Sequence, residues 1–139
     1  PELERPALLA LLHFVKEQIQ IDETKILLSG LSDGATLSLQ LGLQPNAPFT
    51  HLAPFSGTLD PALASQEAGL LQQDKPIYLV HGDNDWMFPV EIGQMTAELL
   101  GAHNPNLLYN EIEGLGHTFA RSELKQLLPW FSAALSLEQ

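Results

Sequence analysis

The run Pro76-Ile77-Tyr78-Leu79-Val80-His81 constrains the fold more than any other stretch of the chain. It is apolar at successive positions rather than at alternate ones, so neither face is left for water. Such a strand is buried on both sides, the setting of a parallel sheet sandwiched between helices. The rest of the chain supplies the partners. Leu8, Leu11, Leu12, Val15 and Ile19 recur at helical spacing and predict an amphipathic helix over residues 6–20. Ile92, Met95, Leu99 and Leu100 predict a helix around 90–102, and Leu124, Leu127, Leu128, Phe131 and Leu135 a closing helix. Shorter β-type runs fall at 25–29, at 50–56 between Pro48 and Gly57, and at 107–112. Strands alternating with helices argue for an α/β fold, a mostly parallel sheet with flanking helices.

One segment resists periodicity. Leu37, Leu39, Leu41 and Leu43 alternate with Thr36, Ser38, Gln40 and Gly42, which by spacing alone is a strand. Leucine is a good helix former, and a helix covered on most sides can show any pattern. The segment is assigned to a helix because of the motif that precedes it.

The 139 residues are 45% hydrophobic, enough for one ordinary core, and no stretch approaches the length of a membrane span. The 17 acidic and 6 basic side chains leave a net charge of -11, with the cations scattered. A nucleic-acid binder needs a basic surface, so that class is excluded. The same field disfavours an anionic substrate and leaves a neutral or cationic one, with a small neutral molecule as the expectation. Cysteine is absent, which removes disulfide and thiol chemistry. The charged opening Pro1-Glu2-Leu3-Glu4-Arg5 is unlike an apolar signal core and leaves a cytoplasmic location as the default expectation.

In parallel sheets, ligands collect beyond the carboxyl ends of the strands. Three loops there carry chemistry. Gly30-Leu31-Ser32-Asp33-Gly34 fits G-x-S-x-G after a strand. Such a turn is sharp, pushes the serine hydroxyl outward, and needs the room that its two glycines give. The following helix start aims backbone N–H groups at an oxyanion, with Asp33 as one donor. His81-Gly82-Asp83-Asn84-Asp85 offers two carboxylates able to orient an imidazole, while turn formation is the plain alternative for either. Gly114-Leu115-Gly116-His117 places a histidine in a glycine-rich loop, suited to a general base. His13, His51 and His103 lie in a helix, at a strand start and in a loop respectively, and His81 has no glycine-rich setting of its own. A metal held by His81, Asp83 and His117 is a weaker alternative. Serine, then aspartate, then histidine, each after a successive strand, is the α/β-hydrolase order.

Residues 26–35 (Ile-Leu-Leu-Ser-Gly-Leu-Ser-Asp-Gly-Ala) resemble the nucleophile region of the phospholipase/carboxylesterase branch of the α/β-hydrolases. His81-Gly82-x-x-Asp85-x-x-x-Pro89 resembles that branch's acid loop and favours Asp85 over Asp83, and Gly116-His117 matches its base loop. The resemblance implies a serine esterase, acting on esters or thioesters with Ser32, Asp85 and His117 and without a cofactor. Leu31, Trp86, Met87 and Phe88 then become candidates for lining the substrate pocket, the last three bulkier than is usual beside the acid.

The nucleophile turn of that family follows a fifth strand, whereas one helix precedes it here. The resemblance therefore implies that residues 1–139 are the C-terminal catalytic portion of a single domain, lacking the N-terminal strands and the loop with the second oxyanion donor. A fragment, a cleaved product or one half of a two-chain assembly is expected, with pairing either to another copy or to the missing N-terminal half. A non-catalytic, hydrolase-like binding module is the alternative from a different class.

Overall fold

A computed structural model describes residues 2–61 and 74–133. The described elements are α1 (Glu4–Gln18), β1 (Leu27–Leu31), α2 (Asp33–Gly42), β2 (His51–Phe55), β3 (Ile77–Gly82), α3 (Val90–Gly101), β4 (Leu107–Ile112), a 3-10 turn at Arg121–Glu123 and α4 (Leu124–Ser132). The strands form one parallel sheet in the order β1-β2-β3-β4.

The expected α/β architecture is thus present, and each strand lies close to its predicted position. All residues of β3 are buried, as its uninterrupted apolar run requires. Successive side chains point to opposite sides of the sheet. Ile77 and Leu79 join Leu39, Leu43, Leu52 and Leu100 in a core that α1, α2 and α3 cover. Tyr78 and Val80 join Ala53, Phe55, Ala120 and Leu127 in a second core under α4. Ile77, Leu79 and Val80 are at most 1% exposed, and burying a side chain of this size contributes about 1.5–3 kcal/mol.

The segment with alternating leucines is helix α2, with Leu39, Leu41 and Leu43 at its end all buried. Two elements shift by two residues. The first helix spans Glu4–Gln18 rather than 6–20, and β1 runs through Gly30 to Leu31 instead of stopping at Ser29. The later stop brings the strand directly into the turn at Ser32. Leu135, predicted in the closing helix, lies outside the described residues.

β1 is a terminal strand of this sheet. Beside it, α1 and α2 form an apolar groove of about 410 Å3 lined by Leu8, Leu11, Leu28, Leu37 and Leu41. Among the described residues, no helix is long and apolar enough to cross a membrane.

Candidate active site

Because the strands are parallel, their carboxyl ends share one rim, and the loops carrying Ser32, Asp85 and His117 all leave from it. Ser32 connects β1 to α2 with φ 60° and ψ -122°. This is a left-handed conformation that costs a residue with a Cβ of order 1–3 kcal/mol. The surrounding hydrogen bonds hold it there. Ser32 N–H donates to the Phe55 carbonyl at 3.0 Å, and the Ser32 carbonyl accepts from the N–H groups of Ala35 and Thr36. As the first residue of α2, Asp33 has no helical carbonyl behind it for its own N–H.

The two motif glycines are not equivalent. A Cβ on Gly30 would lie 2.4 Å from the carbonyl carbon and oxygen of Gly34, whereas a Cβ on Gly34 would meet nothing within 4 Å. The first glycine therefore gives the turn its room, and the second contributes only the backbone that approaches it. That corrects the expectation that both are needed for space.

Asp85 and His117 are joined. The His117 Nδ1–H donates to Asp85 Oδ2 at 2.8 Å and Oδ1 at 3.0 Å. A carboxylate can only accept, so this contact puts the ring proton on Nδ1 and leaves the Nε2 lone pair free to take a proton. Asp85 is buried, and its Oδ1 also accepts from the N–H groups of Met87 (2.9 Å) and Phe88 (2.8 Å). Burial by itself pushes the Asp85 carboxyl up. The Phe88 N–H, the His117 ring and the Met87 N–H outweigh it and hold the carboxyl below its ordinary value. The acid is therefore kept ionised beside the imidazole.

Asp83 is not part of this pair. Its Oδ1 accepts from the Gly114 N–H, and Asn84 N–H donates to the Leu115 carbonyl at 3.0 Å. These bonds lash the acid loop to the loop that carries His117, a structural duty that sequence alone could not separate from an acid's. His81, Asp83 and His117 are each engaged elsewhere, and among the described residues no group of three or more histidine and acidic side chains gathers to hold a metal.

Ser32 stands outside the hydrogen-bonded pair: among the described residues, no hydrogen bond joins its hydroxyl to the His117 ring. In ligand-free enzymes such bonds are often long and tighten when substrate is bound. The serine and histidine loops nonetheless converge through β2. Phe55, whose carbonyl holds Ser32 N–H, packs its ring 4.5 Å from that of Phe119, two residues past His117. The Trp86 and Phe88 rings lie 6.1 and 5.3 Å from the imidazole. Trp86 is 76% exposed, and Met87 and Leu31 also reach solvent, so an apolar border lies on this rim.

Residues 7–134 match the sequence profile of the family described as Phospholipase/Carboxylesterase. Among curated proteins, the chain is 27% identical over 108 residues to acyl-protein thioesterase 1 of Gibberella zeae, covering 74% of this chain and 45% of that protein. It is 27% identical over 120 residues to acyl-protein thioesterase 1 homolog 1 of Dictyostelium discoideum, covering 86% and 53%. The chain thus spans about half the length of the curated relatives it matches. Among solved structures, esterase PE8 aligns with a TM-score of 0.73 at 26% identity, over 93% of this chain and 59% of that one. SOBER1 of Arabidopsis thaliana aligns with a TM-score of 0.71 at 25% identity, over 91% and 60%.

Proposed function

The chain belongs to the phospholipase/carboxylesterase family of α/β-hydrolases, and on that premise we propose that it carries the machinery of a serine hydrolase that cleaves carboxylic esters or thioesters. The observation that carries the reading is the hydrogen-bonded pair of buried Asp85 and half-buried His117 on the same rim as the strained Ser32. His117 Nε2 removes the Ser32 hydroxyl proton as the oxygen attacks the substrate carbonyl carbon. The Asp33 N–H stabilises the resulting oxyanion. The tetrahedral intermediate collapses, the alcohol or thiol leaves with the proton from His117, and an acyl-enzyme remains. Water, deprotonated by the same imidazole, then releases the acid. Throughout, Asp85 holds the Nδ1–H tautomer and stabilises the imidazolium.

The substrate is a small neutral ester or thioester, in keeping with a chain of net charge -11. The apolar border of exposed Leu31, Trp86 and Met87, with half-buried Phe88 beside them, suits its acyl part. Acyl-protein thioesterases among the relatives support including thioesters.

The reading extends to a partner. The chain is the C-terminal catalytic portion of one domain, and the open side of β1 with its apolar groove receives the N-terminal half of the same fold. That half also brings the second oxyanion donor. Loss of one such donor costs about 10²–10³ in turnover, so the chain alone turns over slowly even though its serine is activated.

A fluorophosphonate probe tests the central claim, because only an activated serine reacts with it. The chain takes up the probe, peptide mapping places it on Ser32, and Ser32→Ala takes up none. A chain that never reacts, or a Ser32→Ala variant that reacts equally, makes this a hydrolase-like binding module instead.

A further inference from the structure

His81, next to last in β3, is fully buried and takes no part in the steps above. Burying an imidazole costs free energy unless its nitrogens find partners. One of them does. Nε2 lies 2.7 Å from the Phe88 carbonyl oxygen, a pure acceptor, so the ring proton is on Nε2. Nδ1 is buried and has no hydrogen-bond partner among the described residues. The ring is also wedged against α3, where a Cβ on Gly93 would come within 2.5 Å of its Cγ. A leucine would fill such a site without leaving a nitrogen unpaired, so packing alone does not account for a histidine here.

The polar contacts of His81 all lead to the acid loop. The Phe88 main chain is gripped on both sides of its Cα, its N–H by Asp85 Oδ1 and its carbonyl by His81. The Met87 N–H bonds the same Oδ1, which leaves Oδ2 aimed at His117. His81 Nε2 is itself 3.6 Å from that Oδ2, so the acid has an imidazole on each side, one bonded and one within electrostatic reach. Take away the grip on the Phe88 carbonyl and the turn over residues 85–88 can relax, carrying with it the two N–H groups that orient the carboxylate.

We infer that His81 is a positioning residue for the reaction: by donating to the Phe88 carbonyl, it locks the turn that points Asp85 at His117. The inference rests on the proposed Ser32–Asp85–His117 hydrolase and concerns how its acid is held.

Three substitutions separate hydrogen bonding from bulk. The amide nitrogen of glutamine reaches about as far as Nε2, whereas that of asparagine reaches only as far as Nδ1. His81→Gln is expected to keep probe labelling and ester turnover within about threefold of the parent. His81→Asn and His81→Leu are expected to lose about 10- to 100-fold in kcat and in labelling rate, with KM within about twofold, since misplacing a catalytic group by 1 Å can cost about 10²-fold. Folded His81→Asn or His81→Leu protein that labels at the parental rate overturns the inference, as does His81→Gln falling as far as His81→Leu. If the variants do not fold, nitrogen-15 NMR of the unaltered chain decides the matter. A protonated Nε2 and bare Nδ1 on His81 are expected, and the opposite tautomer would remove the donor on which everything here depends. A parent chain that resists the probe refutes the hydrolase reading, whereas the tautomer experiment reports on His81 regardless.

Discussion

Replacing each motif glycine by alanine should have opposite consequences, and the contrast tests whether the serine turn is a rigid device. In Gly30→Ala the new methyl would sit 2.4 Å from two backbone atoms of Gly34 and 2.9 Å from the nitrogen of Ala35. None of these can rotate away as a side-chain tip would. Ordinary carbon contacts begin near 3.5 Å, so the start of α2 must retreat by about 1 Å. Overpacking of this kind costs about 1–3 kcal/mol, and a displacement of 1 Å in the reacting group costs about 10²-fold in rate. Gly34→Ala introduces its methyl into open space. In the first turn of a helix, alanine is at worst neutral and at best stabilising by up to about 1 kcal/mol. Both variants can be followed by urea unfolding and by the rate of fluorophosphonate labelling at Ser32. The expected pattern is a roughly hundredfold slower, less stable Gly30→Ala beside a Gly34→Ala close to the parent. Equal damage from the two, or a Gly30→Ala that labels at full speed, would refute the steric argument.

Two further outcomes follow from other parts of the molecule. Burial, and then the hydrogen bond to Glu123 at 2.7 Å, push the Tyr78 hydroxyl up to about 12. A group that holds its proton more tightly when folded adds stability that is complete below its unfolded value of about 10 and is lost as pH rises toward 12. Urea unfolding should therefore show the parent losing up to about 3 kcal/mol more than Tyr78→Phe between those limits, and parallel curves would contradict it. Sedimentation at micromolar concentration should show the chain associated with an N-terminal half supplied in trans, or with itself when none is supplied. A monomer that ignores the added half would refute the partner proposed for the open side of β1.

How much could be read in advance depended on where each signal resides. β3 was legible because burial on both faces leaves a continuous apolar run, visible without knowing any neighbour. The helical state of residues 36–43 was not legible from spacing, because α2 lies against β1 and β2 and its leucines answer to several surroundings at once. The acid loop illustrates the same limit. The choice of Asp85 came from a family pattern, while the duty of Asp83 depends on Gly114, which is 31 positions away. His81 was set aside for lacking a glycine-rich loop, yet the glycine that accommodates it sits in α3, at position 93. Its hydrogen-bond partner is a main-chain carbonyl, which has no letter in the sequence.

The backbone at residue 32 also has something to say about durability. Glycine would occupy φ 60° without the penalty that a side chain incurs there. Serine at that position therefore makes the molecule less durable than glycine would. The left-handed kink at the head of α2 is thus local strain of the kind that clusters at functional sites, visible in main-chain angles alone.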